Sequence, residues 1–273
     1  MPEADLDDDE LLDSNEHAPD AYVGDARLEL QQLFREQPEE VFYLRQLTVR
    51  LEKRFFHWVT GRALKALVAE GALRTEKVRV GTSGTEPLSV HFSPKNRYWK
   101  RKAKGLAALV ARFSAPEFTR GLGDHGELMV DAALPRAGFL PMGSNVRVWM
   151  EREWTETGHD LDRVFVRDGV AYGTEIKNTL GYIPRDELEA KINMCAHLNL
   201  RPLFIMRSAP KTYIHLINEA RGFALIMRYQ FYPLAHASFA DEISSRLGLP
   251  VSCPRAIEAG TINRLLRWHD AHR

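Results

Sequence analysis

The spacing of hydrophobic positions changes along this chain, and each change marks a different kind of element. Residues 26–35 carry apolar side chains at helical intervals, with Leu28, Leu30, Leu33 and Phe34 as the expected buried set. Residues 44–55 repeat the pattern around Leu47 and Leu51. A third helix is expected over 57–69, with Thr60, Gly61, Leu64, Leu67 and Val68 on one face and Arg62, Lys65 and Ala69 on the other. Gly71-Ala72-Leu73 closes that helix, and two strand-like runs follow at 74–80 and 88–92. The intervening Gly81-Thr82-Ser83-Gly84-Thr85 reads as a turn; it lacks the Gly-Lys-Ser/Thr ending of a phosphate-cradling loop.

Further on, residues 126–139 return to helical spacing through Leu128, Val130, Ala133 and Leu134, with Pro135 and Gly138 as stop signals. Residues 146–154 alternate as a strand. Residues 158–178 then read as two strands joined at Asp168-Gly169, a dipeptide suited to a two-residue turn in which both central residues need positive φ. A helix is expected at 185–198 and an apolar strand at 203–206. The remainder continues as helix (211–220), strand (223–232) and two further helices (238–247 and 260–272). The expected fold class is therefore mixed α/β.

The Asp-Gly turn sets a register. Arg167 faces Val170, Val166 faces Ala171 and Val164 faces Gly173; continued, Asp162 falls opposite Glu175 and Asp160 opposite Lys177. Two carboxylates roughly 5 Å apart at an effective dielectric near 20 repel by about 3 kcal/mol. A divalent cation reverses that sign, and carboxylates, a lysine and a hard cation together suit phosphodiester hydrolysis. The competing reading is a solvated hairpin face with a Lys177–Asp160 ion pair of little energetic consequence.

Asp162, a hairpin, then Glu175-Ile176-Lys177 resembles the PD-(D/E)xK nuclease superfamily. Gly126-Glu127-Leu128-Met129-Val130, followed by Ala137-Gly138-Phe139, is similar to the first helix of archaeal-type Holliday-junction resolvases and related restriction enzymes. The resemblance spans about residues 122–208 and implies an α-β-β-β-α-β restriction-endonuclease-like core. It further implies that Asp162, Glu175, the Ile176 carbonyl and Glu127 hold Mg²⁺ (or Mn²⁺), and that Lys177 orients or deprotonates the attacking water. Asp160 stands behind that set, as an outer support or as a partner of Lys177. Lys191 is expected to be an ordinary surface lysine.

Charge changes the picture of the first half. Formal net charge is zero, yet residues 1–25 hold ten Asp or Glu and no Lys or Arg, while residues 26–105 hold 17 Lys or Arg against eight acids. The acidic block is expected to be disordered. Three helices followed by two strands resemble winged-helix DNA-binding domains, with Ala63-Leu64-x-x-Leu67-x-x-x-Gly71-x-Leu73 as the supporting pattern. That resemblance implies that His57, Arg62 and Lys65 face a DNA groove while Arg74, Lys77 and Arg79 reach phosphates; a winged helix used for protein contact is the competing reading. The run from Lys95 to Lys104, with Tyr98 and Trp99, suits a nucleic-acid backbone or a solvated helix whose rings pack inward.

The expected organisation is an acidic tail (1–25), a winged-helix domain (26–95), a linking helix (96–118) and a nuclease domain with a C-terminal extension (119–273). No apolar run approaches the roughly 18 residues of a membrane span. The two cysteines, Cys195 and Cys253, show no metal-ligand spacing, and a reduced cytoplasmic setting is expected. His269 and His272 are expected on a helix surface. The combined expectation is a Mg²⁺-dependent DNA endonuclease acting on double-stranded or branched DNA, as a homodimer if two strands are cut. The alternative is a non-catalytic DNA-binding regulator built on a nuclease relic.

Overall fold

The computed structural model describes residues 20–79 and 87–273; the acidic block ahead of residue 20 and the turn at 81–85 lie outside the described residues. The chain is mixed α/β and divides into two compact units. Met1–Arg120 with Glu242–Leu249 form one, and Gly121–Asp241 with Pro250–Arg273 form the other. No helix among the described residues is long and apolar enough to cross a membrane.

In the first unit, helix α1 (Asp20–Glu36) precedes strand β1 (Val41–Tyr43), α2 (Leu44–Leu51), α3 (His57–Ala69), β2 (Arg74–Val78), β3 (Leu88–Phe92), α4 (Trp99–Phe113) and the short α5 (Pro116–Thr119). Helix α1 buries Ala26, Leu30, Leu33 and Phe34, while Leu28 is 63% exposed, against expectation. The stripe i, i+4, i+7, i+8 starting at Ala26 excludes a residue two positions on, which points about 160° away from that face. Helix α2 stops at Leu51, earlier than the pattern suggested, because Glu52, Lys53 and Arg54 have nothing apolar to bury. Phe55 still reaches the core from a turn closed by its N–H to the Leu51 carbonyl (3.0 Å). Strand β1 has only three residues, too short for a periodic signal. It pairs antiparallel with β3, whose other neighbour is β2, giving the order β1-β3-β2.

The second unit is built on a five-stranded sheet in the order β10-β9-β8-β7-β4, with β4 (Leu140–Val146), β7 (Leu161–Arg167), β8 (Val170–Lys177), β9 (Arg201–Met206) and β10 (Phe223–Ile226). The pairs β4-β7 and β7-β8 are antiparallel, whereas β8-β9 and β9-β10 are parallel. Helix α6 (Leu122–Ala133) packs Met129 and Val130 against Phe165, Tyr172 and Ile176 on one face, where α10 (Ala259–His272) adds Ile262 and Leu265. On the other face, α7 (Arg185–His197) contributes Met194 and Cys195 beside Val164, and Leu188 beside Phe204 and Met206; α8 (Lys211–Glu219) adds Ile217. Helix α9 (Ala237–Leu247), the short pairs β5–β6 (Val148–Trp149, Arg152–Glu153) and β11–β12 (Gln230–Phe231, Val251–Ser252), and two 3-10 turns (Pro135–Ala137, Leu234–His236) complete the described elements.

Two expectations are corrected here. The first strand is Leu140–Val146, and the 146–154 stretch is mostly the small β5–β6 hairpin. As an edge strand β4 is largely exposed, so it carries no inside–outside alternation to read; it also contains Pro141 beside a bulge before Gly143, which an edge tolerates. The expected strand 223–232 is broken in two, with Arg228 at φ 72° between Ile226 and Gln230.

Helix α6 starts at Leu122, so Gly126 lies inside it. A Cβ there would sit 2.6 Å from the Asn178 Cβ, so this glycine lets the helix approach the end of β8. Buried Asn178 fastens that junction, donating to the carbonyls of Leu122 (2.8 Å) and Phe231 (2.8 Å) and accepting from Phe231 N–H (2.7 Å). Leu128, expected on the apolar face of this helix, is exposed.

Candidate active site

The hairpin turns as its dipeptide requires, with φ of 49° at Asp168 and 77° at Gly169, and Arg167↔Val170, Val166↔Ala171 and Val164↔Gly173 are cross-strand partners. The backbone ladder ends at Arg163↔Thr174. One step beyond, the Asp162 carboxylate replaces the missing backbone acceptor: its Oδ2 accepts the Ile176 N–H at 2.6 Å. Asp162 is thereby fixed at the mouth of the hairpin beside Glu175, although the two are not backbone partners.

Glu175 is 2% exposed and sits between two ammonium groups, Lys191 Nζ at 2.6 Å and Lys177 Nζ at 3.1 Å. Lys177 also reaches Glu187 at 2.9 Å. The expected Asp160–Lys177 pair is not formed: Asp160 is engaged by Lys191, which donates to its backbone carbonyl and approaches Oδ1 to 4.0 Å. Lys191 itself, expected at the surface, is 3% exposed. It lies on the α7 face that packs against the sheet, and its charge is balanced by the buried Glu175.

Burial dominates the electrostatics of the acids. It raises Asp162, against the opposing pull of the Ile176 N–H, Lys191 and Lys177, and Glu127 adds to the rise. It raises Glu175 too, with Asp162 repelling further, and the two lysines offset only part of this. Burial alone would lower Lys177, but Glu175 and Glu187 outweigh it and hold this lysine well above its ordinary value. The two partners differ because Lys177 is part-exposed and Glu175 is not, so desolvation falls mainly on the acid.

Glu127 stands apart from this set. Its Oε2 is 2.8 Å from Arg163 Nη2, and the same guanidinium grips Asp131 at 2.9 Å and donates to the Asp162 carbonyl at 2.7 Å. Arg163 points to the α6 face, whereas Glu175 points to the α7 face. Among the described residues, Glu127, Asp162 and Glu175 do not gather their oxygens within 4.8 Å of one another; the group that does so is Asp168, His269 and Asp270. The donor set Asp162 and Glu175 nonetheless suits a hard cation, since one carboxylate is half-buried and the other buried, and the two lysines leave their desolvation partly uncompensated.

The Asp168 carboxylate has its own partners. His269 Nε2 lies 3.0 Å from Asp168, with Arg167 at 3.4 Å and Arg273 at 3.8 Å, and His269 Nδ1 meets the Tyr172 hydroxyl at 2.6 Å. His269, expected on a surface, is fully buried by this tie between α10 and the hairpin turn; His272 is exposed. No local pattern signals it, because the histidine and its partners are about a hundred residues apart.

In the first unit, Lys65, Arg74, Lys77 and Arg79 are exposed as expected. His57 is not: it is 3% exposed, with Nε2 3.4 Å from Glu52, and cannot face a groove. It opens α3 on the helix's inner side, in phase with Thr60, Gly61 and Leu64. Arg62 is half-buried, with Nη1 enclosed. Sequence reasoning missed Glu187, Asp131 and the role of Lys191, each supplied by a helix that only folding brings to the hairpin. Comparison with protein-family models, curated proteins and solved structures finds no match.

Proposed function

We propose that this chain is a metal-dependent DNA endonuclease of PD-(D/E)xK type, brought to DNA by a winged-helix unit. The observation that carries the reading is a pair of neighbouring carboxylates, half-buried Asp162 and buried Glu175, both raised by desolvation, with Lys177 beside them at the open end of one hairpin. A structural ion pair alone gains nothing from a second carboxylate placed where it raises the first.

Asp162 and Glu175, with the Ile176 carbonyl, would hold Mg²⁺ or Mn²⁺, and Glu127 would join them only by leaving Arg163. The cation supplies Lewis-acid polarisation of a phosphoryl oxygen and a more acidic bound water. Lys177, kept cationic by Glu175 and Glu187, stabilises negative charge on the phosphoryl oxygens as the water oxygen bonds to phosphorus and a P–O ester bond breaks. In the resting arrangement it holds its proton, so it serves as an electrostatic group and not as the base; the water's proton would pass to solvent and the leaving oxygen would take one from solvent. Exposed Lys65, Arg74, Lys77 and Arg79 would contact DNA phosphates. Double-strand or junction cutting would use two copies of the site, in a homodimer.

The test is cleavage of linear duplex, mismatched duplex, flap, four-way junction and single strand with Mg²⁺ or Mn²⁺. Cutting is expected on at least one, and Glu175→Ala or Lys177→Ala should lower the rate by roughly 10²–10³-fold or more. Cutting that persists in both variants would sink the assignment. The second reading, a DNA-binding regulator that has lost catalysis, draws on Lys191 at 2.6 Å from Glu175 and Arg163 at 2.8 Å from Glu127. Those contacts already give Glu175 and Glu127 protein cations as partners. Chelator-insensitive DNA binding with no cleavage of the panel would favour it.

A further inference from the structure

The start of α4 carries its charge the wrong way round for helix stability. Lys100, Arg101 and Lys102 fill the first turn, no acid is present there, and the N-terminal pole of a helix disfavours cations. Lys102 is neutralised by Glu40 at 2.7 Å. Lys95, Arg97, Lys100, Arg101 and Lys104 are all exposed, and among the described residues none has a carboxylate within ion-pair distance. Lys100 Nζ has only the Trp99 ring, 5.7 Å from its centroid.

Inside this cationic patch stands Tyr98, the helix N-cap, 70% exposed. Its neighbour behaves oppositely: Trp99 stacks on Phe92 at 4.5 Å and 11°. The backbone of this tyrosine is also anchored. Buried Asn96 accepts from the Tyr98 N–H (3.0 Å) and donates to the Glu39 carbonyl (2.9 Å), so the loop ahead of the helix cannot fold the ring inward cheaply. A solvent-facing ring on an anchored backbone, flanked by unpaired cations, matches the two demands of an unpaired nucleic-acid strand: a π-face for a base and positive charge for the backbone.

We propose that Tyr98, with Arg97, Lys100, Arg101 and Lys104, binds single-stranded nucleic acid. The inference rests on the nucleic-acid reading of this chain, but not on cleavage. A paired base offers no free face, so duplex DNA would meet the same cations without using the ring.

The experiment measures binding of the full-length protein, in EDTA to stop cutting, to a labelled single-stranded oligonucleotide of about 15 nucleotides and to the blunt duplex of the same sequence. Tyr98→Ala is expected to weaken single-strand binding roughly ten-fold, the loss of one base–aromatic stack, and to change duplex binding less than about two-fold. Tyr98→Phe should retain single-strand affinity. Lys100→Ala with Arg101→Ala should flatten the log–log salt dependence of single-strand binding by about 1.4, two backbone contacts' worth. Single-strand binding that ignores Tyr98→Ala, or equal losses on both probes, overturns this inference while duplex binding keeps the broader reading intact. Failure to bind either probe overturns both. Self-association without nucleic acid that depends on Lys100 and Arg101 overturns it in favour of a protein occupant.

Discussion

The two units handle charge in opposite ways. In the N-terminal one, cations stand outward from α3, β2 and α4 with few carboxylates near them, and the interior around Leu30, Leu47 and Leu67 is apolar. In the C-terminal one, Glu175 and Lys191 are carried into the interior and Asp162 is half-buried at the hairpin mouth. Surface charge of the first kind acts through screened fields and tolerates displacement. Buried charge of the second kind depends on each partner's position, because the low dielectric magnifies both attraction and loss. The first arrangement suits holding a long polyanion; the second suits chemistry at one atom.

Several changes would test that contrast. The largest effect is expected from Lys191→Met, which strands Glu175 in the interior. Chemical denaturation should show a loss of about 3–5 kcal/mol, and combining it with Glu175→Leu should recover most of it. An additive double variant would mean that the two groups do not stabilise each other.

Acid is the next probe, and it targets a buried ionisable group of the first unit, His91. Burial depresses this imidazole to about 4 from an ordinary 6.5. The unfolded chain therefore binds the extra proton first. Stability from this residue is complete above about pH 6.5 and is lost as pH falls toward 4, by up to about 3 kcal/mol. His91→Leu should abolish that part of the pH slope; an unchanged slope would place its origin elsewhere.

A smaller effect is expected where the C-terminal unit packs its helix against the site. Gly126→Ala forces a Cβ to 2.6 Å from Asn178 and should cost about 1–3 kcal/mol, with reduced thermal stability. Gly123→Ala on the same helix meets nothing within 4 Å and should instead gain about 0.5–1 kcal/mol. Equal responses would contradict close approach at Asn178. Smallest of all is Lys102→Ala, which breaks the exposed pair with Glu40; its effect should stay within about 1 kcal/mol and shrink in high salt.

Much of this was legible along the chain wherever the signal is local. Asp168-Gly169 dictated its turn and, through it, the register out to Arg163↔Thr174, because two residues with positive φ leave a hairpin little choice. The bounds of α3, from His57 to Ala69, followed from periodicity and the Gly71 stop. The pairing of Asp160 was misjudged for a physical reason. Ladder register holds only while the backbones stay hydrogen-bonded, and this one ends at Arg163, leaving Asp160 to Lys191 on α7. The phase of α1 and the burial of His57 turned on which face of a helix its neighbours cover, a matter settled by packing.

The sequence by itself determined the mixed α/β class, the hairpin and the presence of Asp162, Glu175 and Lys177 at one end of it, since turn chemistry and residue spacing act over a few residues. Only the tertiary structure decided what neutralises them. Lys191 and Glu187 arrive on α7, and Arg163 diverts Glu127 with Asp131 on α6. Ion pairs between segments tens of residues apart leave no periodic trace. Their energy depends on distance and burial, which come into being when the sheet and its covering helices close on one another.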